Sequence, residues 1–441
     1  MPDPRAPSDE ALLDRFQHAA FGYFLQNCNP ANGLVADTSR NNSPASIAVV
    51  GFALACYPVG VERGWMARDD AIDCTLATLR FFWDSAQSEE PLSTGHKGFY
   101  YHFLDMRRGI RVWDCELSLI DTTLLLAGML TAAMYFTRDS PGEIEIRTLA
   151  DALYRRVDWH WAQGACATVR QGWKPESGFL HYGWEGYSEA AILYVLGLAS
   201  PTHPLPAKSY AGWSATYQWE NIYNYDLLYA GPMFIHQFSH AWIDFRGIRD
   251  KFMRAKNSDY FENSRRSALA QREYARRNAH GFKGYGEDCW GFAACDGPGF
   301  ETLKIGGRIR RVFGYAARGI PYGPDDGTIA PWTALASLPF APDIALAALR
   351  HFCAQYPDAT RGDRLPSGFN PTLPGKGPAG WVSEGYFGLD QGLIVLMIEN
   401  HRSQMIWDLM RRCPPISAGL RHAGFRGGWL SQPEAMPDAQ K

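Results

Sequence analysis

Apolar positions recur along most of the chain at spacings of three and four residues, the period of helices that bury one face or all of their surface. The stretch 11–26 carries Leu12, Leu13, Phe16, Ala20 and Phe24 on one stripe, whereas 46–57 is apolar almost throughout. The same pattern predicts helices over 70–83, 116–136, 143–159, 189–199, 225–251, 264–278, 343–356, 389–400 and 403–411. Strand signals are brief, at 98–104 and 178–182. A helix apolar on every side must lie between neighbours, and one with a single apolar stripe must lie outside. The alternation of the two kinds therefore predicts two concentric helical layers. Long loops rich in Gly, Trp, Tyr and Asp (84–114, 159–188, 200–224, 279–330 and 357–388) alternate with short ones (137–142 and 400–403). Loops that long inside a compact domain are usually functional, and here they are expected at one end of the toroid.

Composition narrows the classes. The 441 residues exceed the length of a common domain, about 150 residues, but closed toroids run longer as single units. One domain is expected, with a core over about 10–412 and a tail over 413–441. A hydrophobic share of 46% beside 20% charged residues allows a large core and excludes bulk disorder. The net charge of −3 excludes nucleic acid and anionic membrane as main partners, because the basic patches at Arg265-Arg266 and Arg308 to Arg311 are short. Nine cysteines without a CxxC pair give neither a zinc site nor a disulfide framework, and read as small buried hydrophobes. No apolar run reaches the ~20 residues that span a bilayer. The first ten residues are polar and proline-rich and lack the apolar core of a secretory signal. The expectation is a cytoplasmic monomer; a chain from which a leader had been trimmed would be periplasmic or secreted.

Chemistry concentrates in three clusters of carboxylates and aromatics. One is Trp184-Glu185-Gly186-Tyr187-Ser188-Glu189, just before an apolar helix; another is Trp113-Asp114-Cys115-Glu116 continuing to Asp121; the third is Trp381 to Gln391, with Glu384, Tyr386 and Asp390. Cleaving a glycosidic bond needs a proton donor and a second carboxylate, and a Trp or Tyr ring covers the apolar face of a sugar. Ser188 is a predicted N-cap that puts Glu189 in the first helical turn, where packing against aromatics raises a carboxyl pKa and the helix dipole lowers it. Either Glu185 or Glu189 fits a general acid, and spacing does not choose. Asp390, read locally as an N-cap held ionised by helix N–H groups, fits a general base, with Glu384 competing. Asp114, Glu116, Asp121 and Gln391 are expected to bind sugar hydroxyls, and Trp184, Tyr187, Trp381 and Tyr386 to stack on glucosyl rings. His236 and His240 have metal-chelating spacing on the predicted 225–251 helix, but Gln237 breaks the HExxH pattern and buried structural histidines are the expectation. Asp325-Asp326-Gly327 lacks the spacing of a calcium loop. No metal or other cofactor is expected.

On these segments the chain resembles the glucoamylase-like bacterial glycosidases that include the endo-β-1,2-glucanases of glycoside hydrolase family 144. The resemblance runs from about Leu12 to Trp407. It is carried by Gly33-Leu34-Val35, Glu116 to Asp121, Gly186-Tyr187-Ser188-Glu189-Ala190, Ser200-Pro201-Thr202-His203-Pro204, the long run Gly231 to Arg246, Phe261-Glu262-Asn263-Ser264-Arg265, Asp296-Gly297-Pro298, and Gly388-Leu389-Asp390-Gln391-Gly392. It implies an all-α (α/α)6 toroid and hydrolysis of β-1,2-glucan with inversion, endo-acting or sophorose-releasing. It makes Glu189 the general acid and Asp390 the base. Leu393 stands where relatives are expected to carry Pro. A transglycosylase on the same fold is the main rival, separated by cyclic or longer products. A carbohydrate-binding protein that has lost catalysis is the rival from another class, and the presence of both Glu189 and Asp390 speaks against it.

Overall fold

The computed structural model describes residues 8–431. Residues 1–7, on which the expectation about a leader rests, and 432–441, in the expected tail, lie outside the described residues. Fifteen α-helices are described: α1 (Asp9–Gln26), α2 (Ile47–Glu62), α3 (Arg68–Asp84), α4 (Leu119–Tyr135), α5 (Pro141–Arg156), α6 (Trp159–Gln163), α7 (Ala191–Leu198), α8 (Lys208–Trp213), α9 (Lys251–Ala255), α10 (Tyr260–Arg277), α11 (Pro331–Ala336), α12 (Pro342–Gln355), α13 (Gly388–Arg402), α14 (Met405–Arg411) and α15 (Pro414–His422).

They form the all-α (α/α)6 toroid that the resemblance implied, with the two helical layers that the alternation of helix types predicted. The inner elements touch in a closed order. α2 packs on α4, α4 on α7, α13 on α2 and α11 on α13. The gap between α7 and α11 is filled by two 3-10 turns, Met233–His236 and Ser239–Ala241. Ser239 Oγ accepts from Ile192 N–H and donates to the Glu189 carbonyl, joining these turns to α7. Gln237 Nε2 donates to the Thr333 carbonyl and to Ser337 Oγ, joining them to α11. Burial explains the order. Every residue of α7 is buried, as are Ile47 through Gly60 of α2 and Leu119 through Ala132 of α4. The outer helices α5, α10 and α12 bury one stripe each.

The expected 225–251 helix does not form. Tyr225–Leu228 pairs as a strand with Trp219–Ile222, and only Lys251–Ala255 is α-helical. Pro232 lacks the N–H a helix interior needs and biases Gly231 away from helical torsions, so the apolar run is spent on the two short turns. The long loops hold more order than their composition implied. A five-stranded antiparallel sheet joins Gly95–His96, Phe99–Tyr101, Leu117–Ser118, Gly172–Lys174 and Gly178–Phe179, and Glu301–Ile305 pairs with Arg308–Val312. Residues 414–422, placed in the expected tail, form α15, which packs on α7. Among the described residues no helix is long and apolar enough to cross a membrane, and all nine cysteines are free.

The tightest seam in the ring is between α2 and α4. A Cβ on Gly128 would sit 2.0 Å from the Gly51 carbonyl oxygen, and one on Gly51 would sit 2.3 Å from the Leu124 carbonyl. Backbone on both sides leaves nothing flexible to yield. Gly128→Ala is expected to cost about 3 kcal/mol, the upper range of overpacking, measured by denaturant unfolding. A loss below about 0.5 kcal/mol would mean that the two helices can part without penalty.

Candidate active site

Three inner elements deliver their N-terminal ends to one cavity of about 330 Å3. From the start of α4 come Glu116, Ser118 and Asp121; from the turn before α7 come Trp184 and Glu189; from the first turn of α13 come Leu389 and Asp390. His102, Gln171 and Tyr315 complete the polar wall, and Phe234, Phe238 and Trp332 line the apolar side. The strand Leu117–Ser118 sits mid-sheet between Phe99–Tyr101 and Gly172–Lys174, which fixes the approach to α4. Ser118 then caps that helix, accepting from Asp121 N–H and donating to Asp121 Oδ2 at 2.5 Å.

Local geometry differs from expectation at both proposed reacting groups. Helix α7 begins at Ala191 with Ala190 as its N-cap, so Glu189 lies in the preceding turn rather than in the helix. Ser188 does not cap; its Oγ accepts from Trp213 Nε1 at 3.3 Å. Desolvation raises the Glu189 carboxyl to about 7, opposed by its own backbone N–H and assisted by the charge of Asp121. Asp390 is not an N-cap either, because Phe387 holds that position without a side-chain bond. Burial drives the Asp390 carboxyl well above the carboxylate range, with Asp37 and Asp296 adding to the rise and Ser367 opposing it. Helix N–H groups do not keep it ionised, as position alone had implied. Its Oδ2 is buried and has no partner among the described residues; Trp184 Nε1 is in the same state.

The other expected site residues divide. Glu116, Asp121 and Trp184 share the cavity with Glu189 and Asp390. Trp381, Glu384 and Tyr386 line a different cavity of about 870 Å3 with Arg40, Asp296, Arg361 and Lys376. There Arg40 bonds the Asp296 carboxylate and the Glu384 carbonyl, and Ser383 Oγ donates to Asp296 at 2.8 Å. Glu185 and Asp114 are exposed and line neither cavity. Tyr187 packs its ring against Tyr217, His236 and Tyr260 beneath the site. Gln391 is buried and donates to the Leu365 carbonyl, a structural bond. His236 and His240 are buried on the two 3-10 turns and bond Ala230, Asn263 and Ser264; burial lowers them to about 4 and about 3, as fits neutral structural rings. Among the described residues no group of three or more His, Cys, Asp or Glu could hold a metal ion.

Sequence reading missed His102, Tyr315 and Asp37. Their signal was weak: Asp37 has no second acid or aromatic beside it, Tyr315 has only Phe313 near it, and His102 sits in the aromatic run 99–103, which reads as a strand and core rather than as a site. Asp37 is pushed up to about 6, chiefly by burial and against the pull of His102.

Comparison with known proteins agrees with this architecture. The family model described as "Putative glucoamylase" matches residues 181–414. A crystal structure from Bacteroides uniformis of the same description superposes with a TM-score of 0.85 at 30% identity, covering 97% of this chain and 100% of that one. The endo-β-1,2-glucanase of Chitinophaga pinensis, solved with sophorotriose and glucose, superposes with a TM-score of 0.82 at 26% identity, covering 96% of this chain and 100% of that one. Among curated proteins, the exo β-1,2-glucooligosaccharide sophorohydrolase (non-reducing end) of Parabacteroides distasonis is 28% identical over 450 residues, covering 94% of this chain. The chain spans 58% of that relative's length.

The raised Glu189 carboxyl makes stability depend on pH. Its ordinary value is 4.5 and its folded value about 7, so between these the folded chain holds a proton that the unfolded chain has released. The contribution is full below about 4.5 and is lost as pH rises through about 7. Glu189→Gln has no charge to bury. Relative to the parent it is expected to gain on the order of 2 kcal/mol at pH 8 and little at pH 4, read from denaturant unfolding at both values. An equal effect at the two pH values would mean the carboxyl is not desolvated.

Proposed function

Since the chain belongs to the glucoamylase-like family, we propose that it is a glycoside hydrolase that cleaves β-1,2-glucan or its oligosaccharides by inversion. The observation that carries this reading is that Glu189 and Asp390 line one cavity, walled by Trp184, in a chain similar to proteins named for β-1,2-glucan cleavage. Glu189 is the general acid. With a carboxyl near 7 it keeps its proton at mildly acidic pH and about half of the time at neutral pH, and can give it to the leaving oxygen. Asp390 is the general base. Burial favours its neutral form, but its Oδ2, without a partner among the described residues, belongs to the cavity where substrate hydroxyls and the attacking water bind. Hydrogen bonds donated to a carboxylate favour ionisation, so binding itself prepares the base. Trp184 supplies a ring for the sugar's apolar face. Glu116 and Asp121 accept from sugar hydroxyls, and Trp381, Glu384 and Tyr386 contact more distant glucosyl units in the larger cavity.

A second reading has a specific observation behind it. Asp121 lies in the same cavity, accepts from Ser118 and stands 3.5 Å from His102 Nε2, so it too is placed to activate water. Point variants decide between them. Glu189→Gln and Asp390→Asn are each expected to lose at least ~100-fold in kcat on linear β-1,2-glucan with the fold intact. A nearly active Asp390→Asn beside a dead Asp121→Asn would move the base to Asp121.

Product analysis tests the function itself. Short linear β-1,2-linked sugars are expected, with no release from α-1,4- or β-1,3-glucan. Cyclic or longer products would indicate transfer instead, and binding without new reducing ends would indicate a lectin-like role. Two carboxyl groups need no metal. EDTA is therefore expected to leave turnover unchanged, and a loss restored by zinc or calcium would overturn the mechanism. On the basic side, kcat/KM is expected to fall as pH rises through about 7, where Glu189 gives up its proton.

A further inference from the structure

The cavity holds four carboxyl groups, from Glu116, Asp121, Glu189 and Asp390, and one ring nitrogen base, His102. His102 lies between two of the four. Its Nδ1 is 2.9 Å from Glu116 Oε1, and its Nε2 is 3.5 Å from Asp121 Oδ2. The ring stacks on Phe103 at 3.9 Å, and the backbone is pinned on both sides: His102 N–H donates to the Glu116 carbonyl, and its carbonyl accepts from Ile47. A neutral imidazole has one N–H and one lone pair. With acceptor oxygens opposite both nitrogens, a neutral ring would turn its lone pair on a carboxylate; only the doubly protonated ring satisfies both. Asp121 Oδ2 already accepts from Ser118 Oγ, which commits it as an acceptor.

We propose that His102 is a positioning residue, an imidazolium at neutral pH clamped between Glu116 and Asp121 that keeps Glu116 an ionised acceptor for a sugar hydroxyl. This rests on the glycosidase reading above. The charged groups around the ring are consistent with it. Burial alone would lower the ring, but Asp121, Glu116 and Asp37 together hold it up to about 9. Burial alone would raise Glu116, but the hydrogen bond and charge of His102 bring it below the ordinary carboxylate value, with Lys174 contributing from beyond. Arg40 is the other cation near this group and acts on Asp37. The clamp divides the cavity: the carboxyl beside His102 is depressed, while Glu189 and Asp390, away from it, are raised.

Two measurements test it. In protein labelled with 15N histidine, long-range proton–nitrogen spectra are expected to show both His102 ring nitrogens in the imidazolium state at pH 7, with titration near pH 9. The signal is identified by its loss in His102→Gln and, independently, by its shift in Glu116→Gln. In protein labelled with 13C at the glutamate side-chain carboxyls, His102→Gln is expected to move the Glu116 titration up, and on sophoro-oligosaccharides to raise KM more than it lowers kcat. A neutral ring at pH 7 overturns the clamp. So does a Glu116 titration that stays in place in His102→Gln, because loss of packing alone lowers activity without moving it. Should the parent cleave no glucan, the reading of function falls, and the charge state of the ring decides the clamp by itself.

Discussion

The inner helices of this molecule have no solvent side. α2, α4, α7 and α13 are buried along almost their whole length, and with α11 and the two 3-10 turns they close on one another. A polar side chain on such an element has nowhere to go but its end. The carboxyl groups of the cavity accordingly stand where the inner elements begin: Glu116 to Asp121 before and in the first turn of α4, Glu189 ahead of α7, and Asp390 in the first turn of α13. The same closure removes water from them. Fold and chemistry thus share one cause, the packing of all-apolar segments so close that Gly51 and Gly128 meet backbone to backbone.

Desolvation acts on Glu116, Glu189 and Asp390 alike, and partners decide the outcome. Glu116 and Glu189 both lose solvent. His102 stands 2.9 Å from the first, whereas the second has only its own N–H to oppose burial and the Asp121 charge to reinforce it. The first is depressed and the second raised. Elsewhere in the structure the same contest ends in pairing: Arg318 and Asp326, both fully buried, bond through two nitrogens at 2.8 Å each and tie residues 294–328 together through the Cys295, Phe313 and Gly314 carbonyls. That carboxylate is held low by its guanidinium. The cavity differs because it has too few cations for its acids, and groups left unmatched hold protons that can be transferred.

Much of this was legible in the chain and some was not, for identifiable reasons. The two layers followed from contrasts such as the all-apolar 46–57 against the one-sided 11–26, since period and burial are written in residue type. The clusters at Trp184 to Glu189, Glu116 to Asp121 and Asp390 were visible because acids beside aromatics are unusual. Helix bounds failed where tertiary pairing overrode propensity, as at Tyr225–Leu228, which joined a strand across Tyr223-Asn224 instead of extending a helix. His102 escaped notice because its meaning lies in Glu116 and Asp121, fourteen and nineteen residues away, brought to it by the sheet strand Leu117–Ser118. Spacing along a chain cannot register a charge clamp made across a sheet. Nor can it separate Trp381, Glu384 and Tyr386 from Asp390: they are close in sequence, yet the three line a different cavity.

Asp390 shows which of two familiar effects wins. A carboxylate in the first turn of a helix gains about 0.3–1 kcal/mol from the dipole at an exposed surface. Full burial of a carboxyl shifts its pKa by up to ~3–5 units, several kcal/mol in the opposite sense. At the outer α5, where Glu143 sits in the first turn beside Arg68 and accepts from Arg138 N–H, the acid is held low despite its burial. At the inner α13 no cation among the described residues acts on the same helical position, and burial decides. The rule that acids at helix starts stay ionised is therefore a rule about acids with solvent or a cation beside them. Inside the closed ring, with neither beside it, Asp390 shows the inversion: burial outweighs the dipole and its helix start favours the protonated carboxyl.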